Sequence, residues 1–472
     1  MANPVVRLFP VVMIAMPAAM LLLLASAAAP AQAPATAPVA TGASPAPPAP
    51  KPSAEAYYQW LSGCLDAIEK DLPAITASAE AAAKAYVQDG WEIGAWGDAG
   101  MVGEFNGRAG GLMRTSSPKD IEKSGWKGIV LFFPRAASWE QDFANAWEFQ
   151  KQGKHVIAFV NLLRVPVFTD PKTPVPLAGE IQNHAALARG LFPASGSVGG
   201  EYVVPTDPVA NIAATWTWTG EFVAALTRLG KMPAMHQSIM VPGAMQRMEK
   251  YKGLKFHADA PRKVEAGKLG REYLAELRKS LTAVHDQDMP RIVQVAEQAA
   301  ATLKAGHKAH VFAHGHAIRY HVDVPHDPGY FHQVNRGLFE LKADPGIAKG
   351  DFVFCVGYDR IFEGWYFHDA TTRMRSAGAT LAWSMTDYNN KMDANIAPSA
   401  LPKGEIVIGQ HWELGDAVVT VPGYDVKILP PSGVLAEAIL YMTESQMLAI
   451  LGPDSPAKYR AAKATTAPER KP

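Results

Sequence analysis

Cysteine is almost absent, with only Cys64 and Cys355 in 472 residues. That excludes a disulfide scaffold and a thiolate zinc site, and both residues read as small buried hydrophobes. An excess of one charge is also lacking, because 45 Lys and Arg balance 45 Asp and Glu. Without a net field there is no counterion release to drive binding, so nucleic acid is not an expected partner. Several chemical signatures are missing as well. No Gly-x-Ser-x-Gly elbow, Walker loop, His-Glu-x-x-His pair or EF-hand loop occurs, which disfavours serine hydrolysis and nucleoside triphosphate chemistry. Gly94, Gly97, Gly100 and Gly103 are close together, but they lack the dinucleotide spacing and the acidic residue ~20 positions further on.

What is present is ample apolar material. Hydrophobic residues make up 48% and charged residues 19%, with 11 Trp and 18 Phe, so a sizeable core is expected and global disorder is excluded. At this length the chain holds two or three domains. Residues 1–33 place Arg7 ahead of a long apolar run that ends in small residues, the pattern of a signal peptide or membrane anchor. Cleavage after Ala27 fits a small-x-small site, whereas Leu8 to Ala29 is long enough to remain as a tether. Either alternative puts the body outside the cytoplasm, periplasmic or extracellular. Residues 34–52 are a Pro- and Ala-rich linker, and residues 455–472 read as a flexible tail.

From Ser53 to about Gln88 apolar residues recur at helical steps, and WEIGAWG then predicts a buried strand. GIVLFF at 128–133, a helix from Trp139 to Gln152 and HVIAFV at 155–160 continue the alternation. EYVVP at 201–205 and a helix from Pro208 to about Leu229 complete the first half. A similar order returns after a helix that starts near Lys268. Strands are predicted at AHVFAHG, DFVFCVG, ATLAWSM and EIVIGQH, with helices near Glu363–Ser376 and Gly433–Leu451. Short apolar runs between helices indicate parallel sheets covered on both faces. The fold class is α/β, in two similar units at 53–255 and 256–454 with ligand loops at the carboxyl ends of their strands.

The segment GDAGMVGEFNGRAGG resembles the sugar isomerase (SIS) family, whose members akin to this chain follow a strand with a Gly-x-Gly-His-Ser turn. A Glu and an Arg-Ala-Gly-Gly run come next in that family, and Glu104 and Arg108 to Gly111 match them without gaps. In VFAHGHAIRYHVDVPHDPG, His316 takes the motif histidine, with Gly315, Asp323 and Gly329 at its glycine and acidic positions. IVLFFPRAAS and DFVFCVGYDR match in outline the strand and Ser-rich turn that form the second hallmark. Gly153 and Gly378 precede the next strands as in the family. The resemblance implies two three-layer, flavodoxin-type SIS domains in tandem. It also implies pairing of the domains, either within one chain or in a homodimer.

The departures bear on the ligand. The family holds a sugar phosphate with turn hydroxyls and amides, but here Asp98 and Ala317 stand where the Ser belongs. The Ser-rich turns read Pro134, Arg135, Ala136 and Gly357, Tyr358, Asp359. An aspartate repels a phosphate, so a non-phosphorylated sugar or another small polar ligand is expected. Asp98, Arg108, Arg135, Ser138, Tyr358, Asp359 and Arg360 are the candidate ligand-binding residues.

Seven of 14 histidines fall between His307 and His332. Imidazole exchanges a proton near neutral pH, which suits the enediol chemistry of an aldose–ketose isomerase, with His314 or His316 as acid–base group and Glu104 assisting. A divalent metal on His314, His316, His321 and His326 is a second alternative, and no other cofactor is implied. For Glu104 and Arg108 the competing expectation is an i, i+4 surface ion pair. Of Trp216 and Trp218, one is expected buried and the other exposed. HWELGD at 411–416 offers His411, Glu413 and Asp416 near a second site. The expected function is that of an exported SIS-type protein for a carbohydrate derivative. Isomerase, non-catalytic binding or sensing module and metal-dependent enzyme remain open.

Overall fold

Ser53 starts the first helix of the computed structural model: its backbone is extended and its hydroxyl accepts the Ala56 N–H at 3.0 Å. The structure describes residues 51–135, 138–159, 182–183, 192–193, 202–258, 261–314, 329–336, 340–341, 346–357, 366–386 and 404–460. The terminal segments 1–50 and 461–472, which include the expected leader and most of the linker and tail, lie outside them.

The helix expected over 53–88 is two helices, α1 (Ala54–Lys70) and α2 (Leu72–Gln88). Pro73 in the first turn of α2 lacks an N–H and its ring collides with a carbonyl four residues back, so the first helix stops at Asp71. Strand β1 (Glu92–Gly97) and the short helix α3 (Ala99–Phe105) follow. Next come β2 (Gly128–Phe133), α4 (Trp139–Lys151), β3 (His155–Ala158) and the two-residue β4 (Gln182–Asn183). They form a parallel sheet in the order β1-β2-β3-β4. The residues of EYVVP do not join it: Tyr202 and Val203 pair antiparallel with Phe192 and Pro193.

Two long helices come next, α5 (Asp207–Arg228) and α6 (Lys268–Lys304). The start of α6 is capped from α5, where the buried Glu221 accepts the N–H groups of Gly267 at 2.6 Å and Gly270 at 2.8 Å. The second sheet holds β5 (Ala309–His314), β6 (Phe331–Gln333) and β7 (Phe352–Gly357). Helix α7 (Tyr366–Ser376), β8 (Thr380–Met385), β9 (Ile406–Gly409) and helix α8 (Ser432–Leu451) complete it. All its pairings are parallel, in the order β9-β8-β7-β5-β6. Without the added β6, the order β5-β7-β8-β9 repeats that of the first sheet.

Alternation within the strands sets the layers. Ile129, Leu131 and Phe133 of β2 face the main core, whereas Val130 and Phe132 face a second cluster with Phe143, Ala146 and Phe149 of α4. In β7, Phe352, Phe354 and Val356 face the main core, while Val353 and Cys355 pack with Ala370 and Met374 of α7. Both sheets therefore turn one face to a shared helical core and the other to their own outer helix. Helix α8 is the one described helix apolar and long enough to cross a membrane; 78% of its apolar window is buried, as in a core helix. Cys64 and Cys355 are free and buried, and burial pushes the Cys64 thiol up to about 12.

Tryptophans 216 and 218 are both fully buried, which corrects the expected split between a buried and an exposed ring. Helix α5 is enclosed on every side. Its polar residues are no guide to an outer face, because Thr215, Thr217 and Thr219 turn their hydroxyls back to carbonyls four residues earlier.

Candidate functional site

At the carboxyl end of β1, Gly97 has φ of +117° and a Cβ there would sit 1.9 Å from the Phe133 carbonyl oxygen. Only glycine allows that approach, which also lets the Asp98 N–H donate to Phe133 O at 2.7 Å. The Asp98 carboxylate then accepts the N–H groups of Gly100 and Met101 at 2.9 and 3.0 Å. It is the N-cap of α3, so this acid holds its own turn together.

Glu104 and Arg108 are each 1% exposed, which corrects the surface ion pair. Arg108 also lies beyond the end of α3, in the loop, so the two do not share a helical face. Glu104 accepts the Trp216 indole N–H at 3.0 Å, and its other oxygen lies 3.4 Å from Arg108 Nε. The Arg108 Nη2 reaches Asp416 Oδ2 at 3.2 Å and donates to the Ser432 hydroxyl. Ser432 in turn donates its hydroxyl to Asp416 at 2.8 Å and its N–H at 3.2 Å, so Asp416 caps α8 from outside the helix. Burial pushes the Asp416 carboxyl up to about 6, against the pull of Arg108 and the Ser432 hydrogen bonds. Glu437, fully buried on α8, is raised well above the usual carboxylate range by burial and by the neighbouring charges of Glu104 and Asp98. These groups form an enclosed network that ties the turn after β1 to the start of α8. In this conformation Glu104 and Arg108, expected as proton acceptor and ligand clamp, meet only protein.

Arg135, just past the end of β2, is a partly open polar group at the end of the first sheet. The fully buried Asp142 of α4 accepts its backbone N–H at 2.7 Å, its Nε at 3.0 Å and its Nη2. The guanidinium carbon lies 5.9 Å from the Trp96 ring centre, a cation–π contact. The Arg135 side chain is 48% exposed, and the Asp142 hydrogen bonds, joined by the negative charge of nearby Asp98, favour its charged form. Ser138 is the N-cap residue of α4, with no side-chain capping bond. A clamped arginine, a nearby carboxylate and a hydroxyl residue thus stand at the mouth of β1 and β2, where open α/β sheets place ligands.

In the second sheet β5 ends at His314, whose side chain lies outside the described residues, as do His316, His321, His326, Tyr358, Asp359 and Arg360. Among the described residues no group of three His, Cys, Asp or Glu side chains is placed to hold a metal. His310 is buried, with Nε2 3.0 Å from Asp351, at the opposite end of β5 from His314. Sequence reasoning missed Asp142, Asp288 and Glu437. Glu437 carried a signal, being an acid inside the apolar run SGVLAEAILYM, and an acid on a buried helix needs partners or a proton.

No protein-family model matches the sequence, and no curated protein is similar to it. Among solved structures the chain is similar to a candidate sugar-binding protein from Salmonella typhimurium LT2. The identity is 9% and the TM-score 0.40, over 84% of this chain and 99% of that one.

Proposed function

We propose that the chain is an exported binding protein for a sugar or related polyol, with the ligand at the carboxyl ends of β1 and β2. The observation that carries this reading is Arg135 held by Asp142. The buried carboxylate fixes the guanidinium before any ligand arrives, and Arg135 Nη1 has no acceptor among the described residues. Preorganised donors of this kind bind hydroxyl oxygens without a further ordering cost. Asp142 and Asp98 outweigh the single positive charge, so the mouth disfavours phosphate and suits a neutral ligand. The repeated strand order supports descent from two SIS-type units. Export rests on Arg7 and the apolar run behind it, and mass spectrometry of the secreted chain should find an N-terminus after Ala27.

A binding role is favoured over isomerisation because Glu104 is enclosed by Trp216 and Arg108. The test is equilibrium titration with a panel of neutral monosaccharides and amino sugars. Arg135→Lys, which keeps the charge and loses the fork, should weaken the best ligand about tenfold. Unchanged affinity in that variant, or no binder in the panel, would overturn the reading.

A further inference from the structure

Asp288 lies mid-way along α6, only 1% exposed, and receives three donors. Its Oδ2 is 2.6 Å from His411 Nε2, its Oδ1 accepts from Arg291 Nη1, and the Gly409 amide at the end of β9 adds a backbone hydrogen bond. Desolvation pushes this carboxyl up, but the bonds from His411, Arg291 and Gly409 outweigh it and hold it below the usual range. An ionised carboxylate only accepts. The His411 proton in the neutral ring therefore sits on Nε2, and Nδ1 carries the lone pair.

The ring is held in place from several sides. His411 has φ of +54°, a left-handed conformation that costs a non-glycine residue about 1 kcal/mol or more. Its carbonyl accepts the Ser280 hydroxyl at 3.1 Å. A Cβ at position 409 would lie 2.9 Å from His411 Nε2 and 3.1 Å from Asp288 Oδ2, so glycine is what leaves room for the pair. The imidazole is thus oriented and partly exposed, its side chain 26% exposed. Nδ1 has no protein partner among the described residues.

A cleft of about 380 Å³ opens here, lined by Asp288, Arg291, Glu405, Val407, Gly409 and His411. Its volume falls in the range of small-ligand sites, and it runs along the parallel edge strand β9 from Glu405, just before the strand, to His411, just past it. Glu405 does not compete for a ligand's cationic partners, because Arg375 takes both its oxygens at 2.7 and 2.9 Å and the Trp383 indole N–H adds a third bond. Arg291 is 54% exposed, and its Nε and Nη2 have no acceptor among the described residues. Asp288 balances Arg291, Glu405 balances Arg375, and Glu413 beyond the ring is paired with Lys427.

We propose that this cleft is a second small-molecule site, which takes a carboxylate-bearing ligand of monosaccharide size, with its carboxylate on Arg291 and a hydroxyl donated to His411 Nδ1. The arginine supplies a two-pronged donor. His411 Nδ1, with Nε2 engaged by Asp288, accepts from a ligand hydroxyl. The site is independent of the sugar mouth on the first sheet.

The test is NMR titration of the full chain with D-glucuronate, followed at the His411 Cε1–H resonance, with D-glucose as the control that lacks the carboxylate. His411→Gln assigns the resonance. A saturable glucuronate shift is expected, weakening at least ~tenfold in Arg291→Gln. Arg291→Lys should retain part of the affinity, and glucose should leave the resonance unmoved. The proposal fails if no saturable shift occurs, if glucose acts equally, or if Arg291→Gln binds as tightly as the parent while its circular dichroism is unchanged.

Discussion

Arg108 lies 3.2 Å from Asp416, across 308 residues of chain, with both side chains no more than 2% exposed. The contact joins the turn after β1 to the cap of α8, and it does so with charges removed from water. Such a pair is strongly destabilising to break on one side, because the remaining carboxylates stay buried without a cation. Arg108→Met should therefore lower stability by about 3–5 kcal/mol, read as a shift in the urea midpoint. The double variant with Asp416→Leu should recover at least ~1 kcal/mol of that loss. Equal loss in the single and double variants would show that the pair is not coupled.

The raised Asp416 carboxyl makes stability depend on pH in a definite direction. Its folded value of about 6 is above its unfolded one. Its contribution is therefore fully present below about pH 4 and lost as pH rises through about 6. Asp288 and Asp351 are held below the usual range, each by hydrogen bonds that outweigh burial, so their contributions are present above about pH 4 and fall away in stronger acid. Urea midpoints across this range should show a decline from pH ~4 to ~6 that Asp416→Asn flattens. A slope unchanged in that variant would remove Asp416 as its source.

Glu221 stabilises α6 from a distance. It accepts two backbone N–H groups at the helix start and the Thr76 hydroxyl at 3.0 Å, all in the buried interior. Glu221→Ala should cost about 2–4 kcal/mol, since orphaned buried donors lose their acceptor. Hydrogen exchange should speed first at Gly267 and Gly270.

Gly97→Ala is expected to disrupt the mouth of the first sheet. The added methyl would overlap the Phe133 carbonyl, and the positive φ resists any side chain. Loss of cooperative unfolding, or a midpoint lowered by several kcal/mol, is the expected result. A variant as stable as the parent would rule out this geometry for the turn.

Much of the framework was legible in the chain. GIVLFF and the FVFCV of DFVFCVG are uninterrupted apolar runs, and ATLAWSM is a mostly apolar one, because their strands are covered on both faces, and the structure places strands in each. The break at Asp71 was readable from Pro73, which the helical spacing of Leu72 and Ile75 masked. The pairing of Asp142 with Arg135 was within reach as a local contact seven residues apart. The network of Glu104, Arg108 and Asp416 was not, because nothing local in GEFNGR or ELGD distinguishes a buried ion pair from a solvated one. Only the packing of α8 against the rest of the core decides it.

The central claim is that the first-sheet mouth binds a sugar without transforming it, and deuterium incorporation at C2 of the bound sugar in D2O tests it most directly. The account predicts saturable binding with the C2 hydrogen retained over many turnovers of exchange. Deuterium accumulating at C2, and abolished by Glu104→Gln, would contradict it.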